Sequence, residues 1–251
     1  MDAWYHYLLL IGVGFVVGFI NTVAGGASLI SLPVLIFLGL PPAVANGTNR
    51  VAIVLQTAIA VAGFRSKGVS TFPFNVYLGV AALLGSIIGA SIAVDIRGET
   101  FNRILAIIMV VVVLIIVFKP KVRIDELQER ITGKYRWIGM LAFFFIGIYG
   151  GFINAGIGFV IILFLHYVHR LSLVRANATK VAVVFMYTLA ALAVFVLNDK
   201  VIWKVGLFLA LGNGLGAWFS SRISVNKGDG YVKIFLVGMV IVMAIKLWFF
   251  T

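Results

Sequence analysis

The chain has 251 residues, of which 63% are hydrophobic and only 11% charged, and its formal net charge is +12 at pH 7. A soluble domain is nearer half apolar and about a quarter charged, and it must cover itself with polar surface, so a mean hydropathy of +1.14 excludes a water-soluble fold. Runs such as 112–118 and 143–148 are continuously apolar, which excludes a β-barrel with its alternating strands; the absence of cysteine excludes disulfides, a thiol nucleophile and thiolate metal sites.

In chain order the apolar segments fall at 4–23, 27–40, 43–64, 74–94 and 101–118, then at 137–153, 158–169, 174–197, 202–222 and 231–250. The first follows Met1-Asp2-Ala3, which lacks a cationic leader, and it is too long for a signal peptide, so it is expected to be retained. The long polar connection is 119–136, with KPKVRIDELQER inside it. Basic residues lie between apolar segments, where they set orientation. They do not form a basic domain for nucleic acid.

The sequence repeats itself. Gly14-Phe-Val-Val-Gly18-Phe-Ile-Asn21 matches Gly147-Ile-Tyr-Gly-Gly151-Phe-Ile-Asn154, and Ala45-Asn46-Gly47-Thr48 matches Ala176-Asn177-Ala178-Thr179. Gly85-Ser-Ile-Ile-Gly89-Ala90 then matches Gly212-Asn-Gly-Leu-Gly216-Ala217, in the same order. Each half has five segments. An odd repeat joined by one linker places its second copy upside down, as in many secondary transporters. The expectation is an all-α polytopic membrane protein made of repeat 1 (1–118), a cytoplasmic linker (119–136) and repeat 2 (137–251).

Charge supports the count. With alternating segments, Arg65, Lys67, Lys119, Lys121, Arg123, Arg130, Lys134, Arg136, Arg170, Arg175, Arg222, Lys227 and Lys233 share one side, against Arg97, Arg103, Lys200 and Lys204 on the other. The richer side is expected to be cytoplasmic and both termini outside. Segments 2 and 7, with roughly 12–14 residues, cannot cross a core of about 30 Å at 1.5 Å per residue. The turns before them carry no charge. Segments 1–2 and 6–7 are therefore expected to form hairpins whose tips end inside the protein, where irregular backbone is tolerated, leaving three full spans in each repeat.

The first tip, Asn21-Thr22-Val23-Ala24-Gly25-Gly26-Ala27-Ser28, opens segment 2, and the corresponding turn is Asn154-Ala155-Gly156-Ile157-Gly158. Glycines let backbone approach a ligand, and the free amides and dipole of a helix N-terminus attract anions. The competing role for these glycines is tight hairpin geometry alone. The second constellation is Asn46-Gly47-Thr48-Asn49-Arg50, matched by Asn177-Ala178-Thr179-Lys180. A cation inside an apolar helix is a functional candidate, with snorkelling as its competitor. The acids Asp2, Asp95, Glu99, Asp125, Glu126, Glu129, Asp199 and Asp229 all fall in termini or loops, which argues against a carboxylate site for cations.

Gln56 and Asn213 read as bonds between helices, and the paired glycines as close packing within the chain or between subunits, which leaves a homodimer open. His166 and His169 stand a turn apart; a metal or proton-relay role competes with an interfacial one. No nucleophile–base pair, Walker A motif or HExxH supports an enzyme, and no cofactor is expected.

The stretch GFINTVAGGASLISLPVLIFLGLPPAVANGTNR resembles the first signature of the TauE/SafE family of bacterial anion permeases, GFINAGIGFVIILFL with ANATK resembles its second copy, and KVIW with GNGLGAWFSSRI and VKIFLVGMVIVMAIKL resembles its closing segments. Ala27 stands where the family usually has a third glycine, and the second turn is short, Gly156-Ile157-Gly158. The resemblance implies a multi-pass protein of the bacterial inner membrane that transports or exports sulfite or an organosulfonate such as sulfoacetate. In this reading the anion sits between the hairpin tips, with amides around Gly25, Gly26, Ser28, Gly156 and Gly158, neutral hydrogen bonds from Asn21, Asn46, Thr48, Asn49, Asn154, Asn177 and Thr179, and charge balance from Arg50 and Lys180. A passive anion channel and a structural membrane protein without substrate are the alternatives.

Overall fold

A computed structural model describes residues 4–23, 28–117 and 128–223. With no water inside a bilayer, each span must satisfy its own backbone groups, and continuous apolar runs do so as helices. The described residues form α1 (Trp4–Val23), α2 (Ser28–Phe37), α3 (Pro42–Ser66), α4 (Phe74–Asp95), α5 (Gly98–Val117), α6 (Gly133–Phe152), α7 (Ile157–Tyr167), α8 (Leu173–Leu197) and α9 (Trp203–Ile223), and no strand. Each of the first nine predicted segments holds one helix. The segment expected at 231–250, and 119–127 of the linker, lie outside the described residues.

Helices α1, α3, α4, α6 and α8 are long and apolar enough to cross a bilayer. By contrast α2 has 10 residues and α7 has 11, or about 15 Å each, half the hydrocarbon thickness. Each hairpin therefore pairs one full-length arm with one half-length arm. Helix α2 stops at Phe37, three residues before the predicted end, because Gly39 turns left-handed at φ 91°. Its amide bonds the Ile36 carbonyl and that of Leu40 bonds Leu35, at 2.9 and 3.2 Å. This closure satisfies the last carbonyls, and Pro42 then starts α3 at its first turn, where a missing N–H costs nothing.

Small residues draw the helices together. A Cβ on Gly18 of α1 would lie 2.1 Å from the Asn213 carbonyl of α9, and one on Gly216 would lie 2.1 Å from the Phe15 carbonyl. In the same way Gly89 of α4 would meet the Ile148 carbonyl at 1.9 Å and Gly151 of α6 the Ser86 carbonyl at 2.1 Å. The glycine pairs thus pack within the chain, α1 on α9 and α4 on α6. Lipid tails are as apolar as leucine, so such crossings hold by close van der Waals contact. Helices α3 and α8 lie between them, touching each other and α9 and α4 respectively. Leu84, Leu141, Phe145 and Leu207 point outward and are exposed, as expected of lipid-facing side chains.

Gly89→Val is expected to lower stability in detergent by about 2–3 kcal/mol, the scale of overpacking. Gly12→Ala, where a Cβ meets nothing within 4 Å, is expected to be neutral or to gain up to about 1 kcal/mol from helix propensity. Thermal melts of the two purified variants check this, and equal losses would remove the α4–α6 crossing from the account.

Candidate functional site

The site begins with two helix ends buried among the other helices. Helix α6 stops at Phe152, and Asn154 follows at φ 56°, a conformation that asparagine tolerates better than most residues. A helix end leaves its last carbonyls without intrahelical donors, and at membrane depth those of Gly150, Gly151 and Phe152 need partners. Helix α3 supplies them from one face. Asn46 Nδ2 donates to the Phe152 carbonyl at 2.6 Å, and Arg50 donates to those of Gly150 at 3.1 Å and Gly151. Arg50 also bonds Asn46 Oδ1 at 3.4 Å and lies 4.9 Å from the Phe195 ring centroid. A cation here also complements the negative end of the helix dipole.

Helix α8 does the same for α1. Asn177 Nδ2 donates to the Thr22 carbonyl at 2.9 Å, and Lys180 Nζ to that of Asn21 at 3.2 Å. The threonines of both motifs tie down connections. Thr48 Oγ1 accepts the Ile202 amide at 3.0 Å just before α9, while Thr179 meets Thr71 at 2.8 Å just before α4. Asn49 is buried and its Oδ1 has no partner among the described residues.

A small cavity of about 20 Å³ opens beside the second end, lined by Asn21, Gln56, Thr57, Asn154, Ile157, Gly158, Lys180, Val181 and Val184. That volume holds about one water molecule. Its charged group among the described residues is Lys180, no described carboxylate lines it, and Gly158 brings the N-terminal, positive end of α7 to it. Gly156 caps α7 in a left-handed conformation, where a Cβ would lie 2.5 Å from Val112 Cγ2. Gln56 Oε1 accepts from Asn21 Nδ2 at 3.2 Å and Asn213 Nδ2 at 3.3 Å, and Asn154 Oδ1 accepts the Tyr187 hydroxyl.

Of the residues singled out in the sequence, Asn21, Asn154, Gly158 and Lys180 therefore meet at the cavity. Asn46, Thr48, Arg50, Asn177 and Thr179 instead hold helix ends and connections in place. Gly25 and Gly26 lie outside the described residues, and Ser28 begins α2. Sequence reasoning missed Gln56 and Tyr187 as neighbours of the site; the signal was a side-chain amide and a phenol hydroxyl midway along apolar helices. The histidines are buried against backbone. His166 Nδ1 donates to the Leu171 carbonyl at 2.9 Å and His169 Nδ1 to that of Arg130 at 2.7 Å. Burial pushes the His169 imidazole below its ordinary value, against the opposing pull of that hydrogen bond. No group of three potential metal ligands occurs among the described residues.

Long apolar helices packed around a buried polar cavity define an integral membrane protein. The chain belongs to the sulfite exporter TauE/SafE family, whose family model matches residues 10–247. It is 30% identical to a probable membrane transporter protein of Haemophilus influenzae, over 95% of this chain and 93% of the relative. It is 28% identical to the probable membrane transporter protein ORF9 of Sinorhizobium, over 98% and 94%. With the probable membrane transporter protein YfcA of Escherichia coli K12 it shares 29% identity, over 95% and 90%. No solved structure matches the chain.

Arg50→Met removes a charged donor from two buried carbonyls and is expected to destabilise the protein by about 2 kcal/mol or more. Arg50→Lys should recover only part of that, because an ammonium lacks the guanidinium fork. Melting of the purified variants decides; a loss under about 0.5 kcal/mol for Arg50→Met would mean the cap is idle.

Proposed function

We propose that this protein is a secondary transporter of small anions, sulfite or an organosulfonate such as sulfoacetate, working by alternating access in the bacterial inner membrane in the direction of export. One observation carries the reading: the Lys180 ammonium, the N-terminus of α7 and the side-chain amides of Asn154 and Gln56 converge on one buried cavity with no carboxylate among the described residues that line it. A positive, water-poor pocket suits an anion, and the membrane transporters among its relatives support the class.

The two halves, 1–118 and 137–251, are taken as inverted repeats joined by a cytoplasmic linker, with both termini outside. Correspondences between contacts support this. Exchanging α1 with α6 and α4 with α9 turns the α1–α9 crossing into the α6–α4 crossing. Exchanging α3 with α8 turns the Asn46 and Arg50 cap on α6 into the Asn177 and Lys180 cap on α1. Rocking of one repeat against the other would open the cavity to alternate sides. Lining groups Gln56, Asn154 and Lys180 are 2–3% exposed, which favours an occluded carrier over an open pore. A cavity of about 20 Å³ is too small for sulfite, so loading requires the hairpin tips to separate and Lys180 to exchange the Asn21 carbonyl for the anion. Gly25, Gly26 and Ser28 belong to this reading on the sequence pattern of the first tip alone. Arg50 acts from behind, holding the end of α6 that carries Asn154.

The test is the melting temperature of the detergent-purified protein against sulfite, sulfate, sulfoacetate, acetate, sugars and cations at matched ionic strength. Ligand at 100 times its Kd adds about 2.7 kcal/mol to the folded state, expected as a rise of a few degrees with sulfite or sulfoacetate that Lys180→Ala abolishes. A rise with cations or neutral solutes alone would overturn the anion site.

A further inference from the structure

Gln56 and Asn154 come to the same cavity from opposite halves of the chain, and both are almost fully buried, at 2% and 3% exposure. A carboxamide has a donor end and an acceptor end, and it recognises an anion only when the donor end faces the ligand. Both acceptor ends are engaged by donors on the side away from the ligand-facing amino groups: Gln56 Oε1 with two bonds, Asn154 Oδ1 with one. Two side-chain amides, Asn21 and Asn213, donate to Gln56 Oε1 at 3.2 and 3.3 Å, and the Tyr187 hydroxyl donates to Asn154 Oδ1. Neither Gln56 Nε2 nor Asn154 Nδ2 makes a hydrogen bond among the described residues, and both side chains line the cavity. Asn21 places one of its two N–H groups on Gln56, and its own Oδ1 accepts no hydrogen bond among the described residues; facing it across the lining stand the amino groups of Gln56 and Asn154 and the Lys180 ammonium.

Resting on the anion-transport reading above, we propose that Gln56 and Asn154 are the pair that selects anions at this cavity, held donor-inward by Asn213, Asn21 and Tyr187. Two fixed N–H groups beside an ammonium receive the oxygens of a sulfite or sulfonate group. The same fixed donors repel a cation, which needs the oxygens that are turned away. Asn213 and Tyr187 do not touch the ligand; they are positioning residues.

The experiment is calorimetric titration of sulfite and of sulfoacetate into the detergent-purified full chain. Binding by the wild-type protein tests the transport reading, and loss of that binding in the variants tests the present one. Gln56→Met is expected to weaken binding about tenfold or more, the cost of losing a hydrogen bond to a charged group. Gln56→Glu, which places a carboxylate beside Lys180, should abolish it. Tyr187→Phe should weaken binding in the wild-type background but not further in Asn154→Ala, since it acts only by turning that amide. The proposal is overturned if a folded Gln56→Met or Gln56→Glu protein binds within twofold of wild type. Equal effects of Tyr187→Phe in both backgrounds would overturn the positioning role.

Discussion

A polar backbone group inside a bilayer has no water to fall back on. This fold stops α6, and begins α7, deep among its own helices, so the carbonyls at the end of α6 need donors from another part of the chain. Asn46 and Arg50 on α3 satisfy that end, and Asn177 and Lys180 on α8 satisfy the end of α1. Without those donors the buried ends of α6 and α1 would leave carbonyls unpaired. The cavity exists because these interrupted ends are stable where they are.

The two caps are built alike but leave different things behind. A guanidinium forks, so Arg50 reaches two carbonyls and a neighbouring amide and stacks near Phe195. It is fully buried and does not line the cavity, and its Nε–H has no partner among the described residues. An ammonium with one carbonyl partner keeps donors to spare, and Lys180 sits at the cavity wall. Of two cations in matching places, both cap a helix end, and Lys180 also lines the cavity. The same economy governs the close crossings, where glycines let carbonyl oxygens of one helix sit against the backbone of the next.

Much of this was legible in the residues. The nine helices of the described residues follow from continuous apolar runs, and the half-length of α2 and α7 follows from counting residues against bilayer thickness. Gly39 and the Pro41-Pro42 pair mark where α2 ends and α3 begins, because their backbone preferences are local. The glycine pairs announced close packing. Their partners were not legible, since Gly18 could face any helix until α9 lay against it. Gln56 was seen only as a bond between helices; its two donors come from α1 and α9, and nothing in its own neighbourhood names them.

The sequence by itself determined the class of the protein, its helices and the residue types that matter, because hydropathy, glycine and proline act over a few residues. Tertiary structure alone decided which carbonyls Arg50 caps, that Lys180 rather than Arg50 meets the cavity, and which way the amides of Gln56 and Asn154 turn. Each of those depends on donors and acceptors roughly 30 to 160 residues apart in the chain. A hydrogen bond requires its partner within about 3 Å and in line, and only the packed helices bring such partners together.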